Sequence, residues 1–383
     1  MRSKGLQISL KTIVLILILL RICAADYSSV REGTLEEKAR GRLDFVIQAD
    51  VDVTGKIRVI SNQTGNIKIT YTITALAESK AEANRFLGLV DIRLDTNRRE
   101  KAFLEILSPS HVPWGGSKYN VNVEILAEIP EKINIEGKCR FSDLEVMGPF
   151  QNIDLDCENS SVSLSMIYGS VRISTTNSSI VLKSIKGDLR AETTNGSITI
   201  DGMEIEWGYA FLETTNGGIT LEDIQGSIEA YTTYSPIKVD NIDASEGSVV
   251  LRTNYAPIDV SNVVGEIICE TNYYPVNILD SNINHGHSKI ETSYAPVRAQ
   301  FDKVENCEVY ISSGYNNIEL EVPSETSARL VASVDKGGRI HAKGIAIIPV
   351  LLEPTYLEGV MGEGDARIEV KVNGIGNIDI TGR

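Results

Sequence analysis

Five tyrosines recur at near-constant spacing in the second half of the chain, and they are its most chemically suggestive side chains. They are separated by 18 or 21 residues and comprise Tyr234, Tyr255, Tyr273, Tyr294 and Tyr315. Tyrosine combines an apolar ring with a polar hydroxyl, so an exposed row could stack on sugar rings or anchor a protein partner. The alternative is a structural ladder in which each ring covers its neighbour. Both interpretations require an element that aligns the five residues.

Carboxylates and histidines offer a weaker case for chemistry. Four glutamates share one repeat position, namely Glu192, Glu213, Glu270 and Glu291. A polysaccharide-cleaving β-helix would use such carboxylates with calcium and a basic residue, but Tyr231 and Arg252 interrupt this column. His285 and His287 could reach one metal ion, yet no cysteine or third histidine lies near them. We therefore predict no catalytic residues, no metal site, no cofactor and no enzymatic activity.

The tyrosines belong to a short phrase that recurs down the chain. It reads TTNSSI from Thr175, TTNGSI from Thr193 and TTNGGI from Thr214, and later TTYSPI from Thr232 and TNYAPI from Thr253. The repeat units begin at 133, 151, 169, 187, 208, 226, 247, 265, 286 and 307. A unit of 18–21 residues cannot bury a core of its own, so neighbouring units must stack. The repeat therefore predicts a solenoid.

Within a unit, two short segments alternate apolar and polar residues around a turn. The unit 226–239 reads GSIEAYTTYSPIKV, with apolar residues at positions three, five, twelve and fourteen. Period-two alternation indicates half-buried strands, and the Asn-Gly or Ser-Pro centre is typical of a turn. We predict an all-β, single-stranded parallel β-helix. Right-handed coiling is favoured, because a left-handed hexapeptide helix would place an aliphatic residue at every sixth position.

Two columns of the repeat suggest ladders. The seventh position is Thr in seven consecutive units, from Thr175 to Thr292, which predicts hydrogen bonding from coil to coil. The ninth position changes from Asn in four units to the five tyrosines. Cys139 and Cys157 occupy the seventh position of adjacent units, where stacked strands lie about 4.8 Å apart. A small adjustment would allow this pair to form a disulfide.

The repeats divide the chain into four parts. Residues 1–25 carry a basic start, the nine-residue apolar run TIVLILILL and small residues before residue 26, which predicts a signal peptide or an N-terminal anchor. Residues 26–132 alternate like strands and hold one helical segment near 77–89, so they are predicted to cap the stack. Residues 133–321 form the solenoid, and 322–383 form closing coils and a C-terminal cap.

Charge restricts the partners. The formal net charge is −15, and loss of residues 1–25 removes four basic residues and no acid, leaving about −19. Nucleic acid is not expected as a partner, because its binding requires a dense basic surface. No integral membrane span is expected in the mature chain, since no later apolar run approaches the roughly 20 residues that a spanning helix needs. The signal predicts export, which would favour the Cys139–Cys157 disulfide.

Several of these features resemble one protein family. The signal peptide, the strand-rich entry with one helix, the PEKINIEG step at 130–137 and the TTNGSITI-like phrases are similar to the bacterial and archaeal family of candidate adhesins. The resemblance implies a β-solenoid of unknown function, extracellular or associated with the cell envelope, and it supplies no catalytic residues. The expected role is structural or adhesin-like, with a cell-surface glycan or an envelope protein as partner. The alternative is a carbohydrate-binding or carbohydrate-cleaving β-helix that uses the Tyr row as a sugar platform.

Overall fold

The chain is almost entirely β-structure. The computed structural model describes residues 27–39, 44–98, 100–114 and 119–383, so the predicted signal peptide lies outside the described residues. These ranges contain 31 strands and one helix. The first part comprises β1 (Tyr27–Lys38), β2 (Asp44–Ala49), β3 (Thr54–Asn62), β4 (Asn66–Ala77), α1 (Lys80–Leu87), β5 (Asp91–Arg98), β6 (Lys101–Leu107) and β7 (Asn120–Pro130). Helix α1 begins after the N-cap Ser79 and packs against β1 and β4.

The repeat region supplies the next eighteen strands. They are β8 (Ile135–Arg140), β9 (Ser142–Phe150), β10 (Ile153–Glu158), β11 (Val162–Tyr168), β12 (Val171–Thr175), β13 (Ile180–Lys186), β14 (Leu189–Thr193), β15 (Ile198–Glu204), β16 (Ala210–Thr214), β17 (Ile219–Gln225), β18 (Ile228–Tyr231), β19 (Ile237–Arg252), β20 (Ile258–Thr271), β21 (Val276–Ile283), β22 (His287–Thr292), β23 (Val297–Val304), β24 (Glu308–Ser313) and β25 (Ile318–Val322). The last part comprises β26 (Ala328–Lys336), β27 (Ile340–Lys343), β28 (Ile348–Glu353), β29 (Tyr356–Met361), β30 (Ala366–Ile375) and β31 (Ile378–Gly382).

Equivalent strands of successive repeats pair in parallel and in register. Thr175 lies opposite Thr193, and Ile180 lies opposite Ile198, one repeat away in each case. The pairs form two ladders: one runs from β8 through β10 to β24 and holds the first strand of each unit, and the other runs from β9 through β11 to β25 and holds the second. Strands β19 and β20 take part in both ladders. This arrangement is β-solenoid-like.

A column of left-handed backbone produces the second bend in seven successive coils. The bend residues have φ between 48° and 80° and are Met166, Ser184, Gly202, Asp223, Asn241, Asn262 and Asp280. Gly, Asn and Asp tolerate this conformation best, which accounts for the pairs Asp201-Gly202, Asp240-Asn241 and Ser261-Asn262 at this position. In most coils the bend turns the following aliphatic residue, such as Ile185 or Ile224, into the core.

Each ladder is extended at both ends. At the N-terminal end, the first ladder continues from β8 to β2, β6 and β5, and the second from β9 to β3, β7, β4 and β1. At the C-terminal end, the first continues from β24 through β30, β26 and β29 to β28. The second continues from β25 through β31 to β27. At each end of the stack, one ladder therefore extends further than the other.

Candidate recognition face

The five tyrosines form one continuous stack. Neighbouring ring centroids are 5.3, 5.1, 5.3 and 5.5 Å apart along the series, and neighbouring planes are inclined by only 5–13°. The side chains are 46–61% exposed. In-register parallel pairing causes this alignment, because it places the ninth position of each coil directly beside that of the next. We call Tyr234, Tyr255, Tyr273, Tyr294 and Tyr315 the Tyr ladder.

The ring faces of the Tyr ladder are largely occupied by the ladder itself. Tyr255, Tyr273 and Tyr294 each have a tyrosine ring on both sides. At the far end the backbone of Gly374 lies against Tyr315, since a Cβ at this glycine would stand 2.6 Å from Cδ1 of the ring. The accessible parts are therefore the ring edges and the phenol hydroxyls. Such a surface offers hydrogen bonds and edge contacts, and the three inner rings offer no open face to a sugar.

The threonine column fixes the turn that presents each ring. Thr232 Oγ1 donates a hydrogen bond to the carbonyl oxygen of Gly217 in the preceding coil at 3.1 Å. Thr214 Oγ1 donates to the carbonyl oxygen of Gly196 at 3.0 Å and accepts from the Gly217 backbone N–H at 3.1 Å. The threonines are buried, so these bonds are shielded from water. The predicted coil-to-coil ladder thus uses threonine hydroxyls and turn backbone groups.

The asparagines of the ninth position form a second ladder in the repeats that precede the Tyr ladder. Each Nδ2 donates to Oδ1 of the asparagine one coil earlier, at 2.6 Å from Asn177 to Asn159, 2.6 Å from Asn195 to Asn177 and 2.7 Å from Asn216 to Asn195. The bonds lie on the exposed surface. The ninth column is therefore one surface stripe, with amide groups in the first half and phenol groups in the second.

A polar groove of about 470 Å³ runs beside the C-terminal part of the Tyr ladder. Its residues come from the sixth, seventh and eighth columns, with Tyr294 and Tyr315 forming one side and Asn373 closing the end. Two ion pairs join Glu270 to its neighbours: Arg252 Nε lies 2.8 Å from Oε2, and Lys289 Nζ lies 3.2 Å from Oε1. The acidic column is therefore neutralised locally, which suits a surface for hydrogen bonding better than an acid–base pair.

Glu270 is expected to make stability depend on acidic pH. Burial acts to raise the pKa of Glu270, but hydrogen bonds from Arg252 and Lys289 outweigh it and lower that pKa below its ordinary value of 4.5. A lowered folded-state pKa means that the carboxylate stabilises the fold above pH 4.5 and loses this effect as the pH falls through the folded-state pKa. We expect Glu270→Gln to cost under about 1 kcal/mol at neutral pH and progressively less in acid. Urea unfolding of both proteins across pH 3–7 measures this, and a pH-independent difference would contradict it.

Cys139 and Cys157 lie opposite one another on β8 and β10. Both are buried free thiols in the structure, as are Cys269 and Cys307. The hydrogen bond between the two thiols, followed by burial, raises the pKa of the Cys139 thiol well above its ordinary value. In-register pairing thus places the two sulfurs side by side, and the disulfide remains a proposal.

We expect the Cys139–Cys157 disulfide to form when the protein matures in an oxidising compartment. Protein alkylated without reduction should yield a linked 139–157 peptide in mass spectrometry, while Cys269, buried alone in the core, should remain a free thiol after unfolding. Cys157→Ser should abolish the linked peptide and remove the effect of reductant on the melting temperature. Quantitative alkylation of both thiols in oxidised, unfolded protein would refute the bridge.

A second exposed aromatic group was not predicted from the sequence. Trp207 is 83% exposed, and together with Tyr168, Lys186, Asp188 and Glu206 it lines a groove of about 570 Å³. Lys186 Nζ pairs with Glu206 at 2.9 Å. Trp207 falls in one of the three-residue insertions that lengthen a coil from 18 to 21 residues. That insertion was the available signal, because a large aromatic residue in an inserted turn has no core column to enter.

The side chains of His285 and His287 have different partners and do not share a potential metal site. His285 Nε2 lies 2.9 Å from the carbonyl oxygen of Gly247 and Nδ1 lies 2.7 Å from Oδ1 of Asn284, whereas His287 contacts Glu308. Within the described ranges no group of three or more His, Cys, Asp or Glu residues is arranged to hold a metal ion. Nor does any helix of those ranges have the length and apolar character needed to cross a membrane.

The repeat and its two parallel ladders define an all-β, β-solenoid-like protein. Residues 47–381 match the model of the family Toastrack DUF4097, and the chain belongs to that family. The family resemblance inferred from the sequence is thereby confirmed. No curated protein matches the chain.

Solved structures with partial similarity are described as candidate adhesion proteins. One from Clostridium sporogenes is 13% identical, with 93% of this chain and 100% of that chain covered and a TM-score of 0.21. One from Parabacteroides merdae is 9% identical, with 92% and 95% covered and a TM-score of 0.23. One from Bacteroides fragilis is 11% identical, with 91% and 97% covered and a TM-score of 0.21. These TM-scores are too low to define a shared fold, so the assignment depends on the family match.

Proposed function

We propose that this protein is a non-catalytic, adhesin-like recognition module of the cell envelope. The observation that carries the proposal is the Tyr ladder, a half-exposed row of five stacked rings beside a polar groove. Stacking on neighbouring rings already restricts each side chain, so a partner would meet hydroxyls whose conformational entropy is reduced in advance. Tyrosine is also enriched among residues that dominate binding energy. The proposed partner is a cell-surface glycan or an envelope protein.

We also propose that the protein is exported and that its chain has four segments. Residues 1–25 would act as a signal peptide or anchor, 26–132 as an N-terminal cap, 133–321 as the solenoid and 322–383 as closing coils and cap. The proposed right-handed sense of coiling follows from the absence of a six-residue aliphatic period. Detection of a mature N-terminus near residue 26, by sequencing protein recovered from the envelope, would distinguish cleavage from anchoring.

A triple substitution tests recognition separately from stability. Tyr255→Phe/Tyr273→Phe/Tyr294→Phe keeps the stacked rings and removes three hydroxyls, so the melting temperature should change little. On a glycan array and in envelope pull-downs, we expect this variant to lose at least roughly tenfold in affinity, since unpaired polar groups weaken binding. Tyr→Ala at the same positions should lose both stacking and binding. Binding unchanged in the Phe and Ala variants would remove the ladder from the recognition surface.

Carbohydrate binding is the second candidate function, and the exposed Trp207 favours a different place for it. Its indole ring projects into solvent, and its groove adds carboxylate and ammonium groups from Asp188, Glu206 and Lys186. An apolar face flanked by hydrogen-bonding groups matches the two sides of a pyranose ring. In the same glycan array, loss of a signal in Trp207→Ala but not in the Tyr→Phe variant would assign sugar binding to this groove. The reverse result would assign it to the Tyr ladder.

A further inference from the structure

The C-terminal end of the stack carries an exposed apolar strand. All six residues of β28 are exposed, with Ile348, Val350 and Leu352 each about 70% accessible at 72%, 68% and 69%. The segment between Lys343 and Glu353 reads GIAIIPVLL and contains no charge. Soluble proteins seldom leave so continuous an apolar run uncovered, and such patches mark interaction sites. Packing in the core therefore does not account for the apolar side chains of β28.

The unequal lengths of the two ladders explain why β28 is exposed. The second ladder ends at β27, whereas the first continues beyond β26 with β29 and then β28. The inward side chains of β29 are still covered, because Leu357 and Met361 are buried and Ile345 and Ile347 pack against the core. At the level of β28, no described strand continues the second ladder. Its apolar side chains therefore have no opposite wall.

The backbone of β28 is also incomplete on one side. Among the described strands it pairs only with β29, in antiparallel register, so its outer edge presents free N–H and C=O groups. Proteins usually protect such edges with lysines, strong twist or a covering segment. Here the only charge within the strand is Glu353 at its end. Pro349 lacks a donor and a local register shift follows it, but the neighbouring residues retain theirs.

We propose that β28 is a homodimer interface, in which two copies pair their β28 edges antiparallel about a two-fold axis. A second copy supplies both missing components, namely strand hydrogen bonds and an apolar wall. A lipid surface would cover the side chains but would leave the backbone groups unpaired in hydrocarbon. An end contact also keeps most of the two acidic chains apart.

Sedimentation and light scattering on the full chain test the interface. The parent should dimerise reversibly with concentration, and Ile348→Lys/Leu352→Lys should weaken dimerisation by roughly 100-fold, because two lysines per copy would be buried in an apolar contact. Both positions are exposed in the monomer, so the variant should melt like the parent. The matched control is Val30→Lys, the same change at an exposed position on β1, and it should dimerise normally. A parent that stays monomeric, or a Lys variant that still dimerises, would overturn the proposal.

Two further measurements separate the possible occupants. Val350 lies in the middle of β28, where the two-fold axis of an antiparallel pair would pass. Val350→Cys should therefore form an intermolecular disulfide on oxidation, whereas the parent, whose four described cysteines are buried, should not. Absence of this cross-link in a dimeric sample would place the interface elsewhere. The second measurement is co-sedimentation with vesicles of phosphatidylglycerol and phosphatidylethanolamine. A monomeric parent that sediments with vesicles, paired with a Lys variant that does not, would assign the strand to a lipid surface and reject the dimer.

Discussion

Thr214→Val is expected to lower the free energy of unfolding by about 3 kcal/mol, although valine has nearly the same shape as threonine. The Thr214 hydroxyl accepts from the Gly217 N–H and donates to the Gly196 carbonyl, so its loss leaves two backbone groups of adjacent coils without these partners. The side chain is only 2% exposed, so water cannot readily replace those bonds. Each buried unsatisfied group costs roughly 1–3 kcal/mol. Urea unfolding followed by circular dichroism measures the change.

Thr214→Ser is the matched control, since it retains the hydroxyl and removes only a methyl group. We expect it to cost about 1 kcal/mol or less. A valine variant as stable as the serine variant would show that the hydroxyl column contributes nothing beyond strand packing. The same substitution at Thr193 should have a similar effect, because its hydroxyl also donates to a carbonyl oxygen of the preceding coil and accepts from a turn N–H. At Thr232, whose hydroxyl makes only the bond to the Gly217 carbonyl oxygen among the described residues, the effect should be smaller.

The all-β class and the solenoid-like stacking could be predicted because the relevant information is periodic. Parallel in-register pairing brings identical positions of successive units together, so a spacing of 18 or 21 residues indicates which side chains become neighbours. The Tyr ladder and the Cys139–Cys157 neighbours follow from that rule alone. The left-handed bend could also have been inferred, because Asn, Asp and Gly recur at one position.

Other features could not be predicted, because they depend on distances across the turn or on where a ladder stops. The repeat places the Tyr rings in line, but only the spacing of 5.1–5.5 Å between centroids shows that the inner faces are covered. The Thr column was expected to hydrogen-bond from coil to coil, but only the structure identifies the acceptors as turn carbonyl groups of the preceding coil. The apolar stretch at 344–352 was predicted to belong to a closing cap. Its exposure results from the unequal lengths of the two ladders, and the sequence repeat does not indicate where each ladder ends.

Gly217→Ala is expected to destabilise the protein by about 2 kcal/mol, because the TTNG turns approach each other too closely for a side chain. A Cβ at Gly217 would lie 1.7 Å from the carbonyl oxygen of Gly196 and 2.3 Å from its carbonyl carbon. Backbone cannot yield as the end of a flexible side chain can, so the whole turn must shift. That shift would also disturb the hydrogen bond between the Gly217 N–H and Thr214.

The adjacent Gly218 provides the control for this substitution. A Cβ there would meet its nearest atom, the carbonyl oxygen of Pro236, at 3.4 Å, which is ordinary contact. Gly218→Ala should therefore be neutral or slightly stabilising, since alanine reduces the freedom of the unfolded chain. Calorimetric melting of the two variants beside the parent measures the contrast. Equal melting temperatures for the two alanine variants would mean that the turns can separate without cost, and that the Asn-Gly pairs do not control the spacing of the coils.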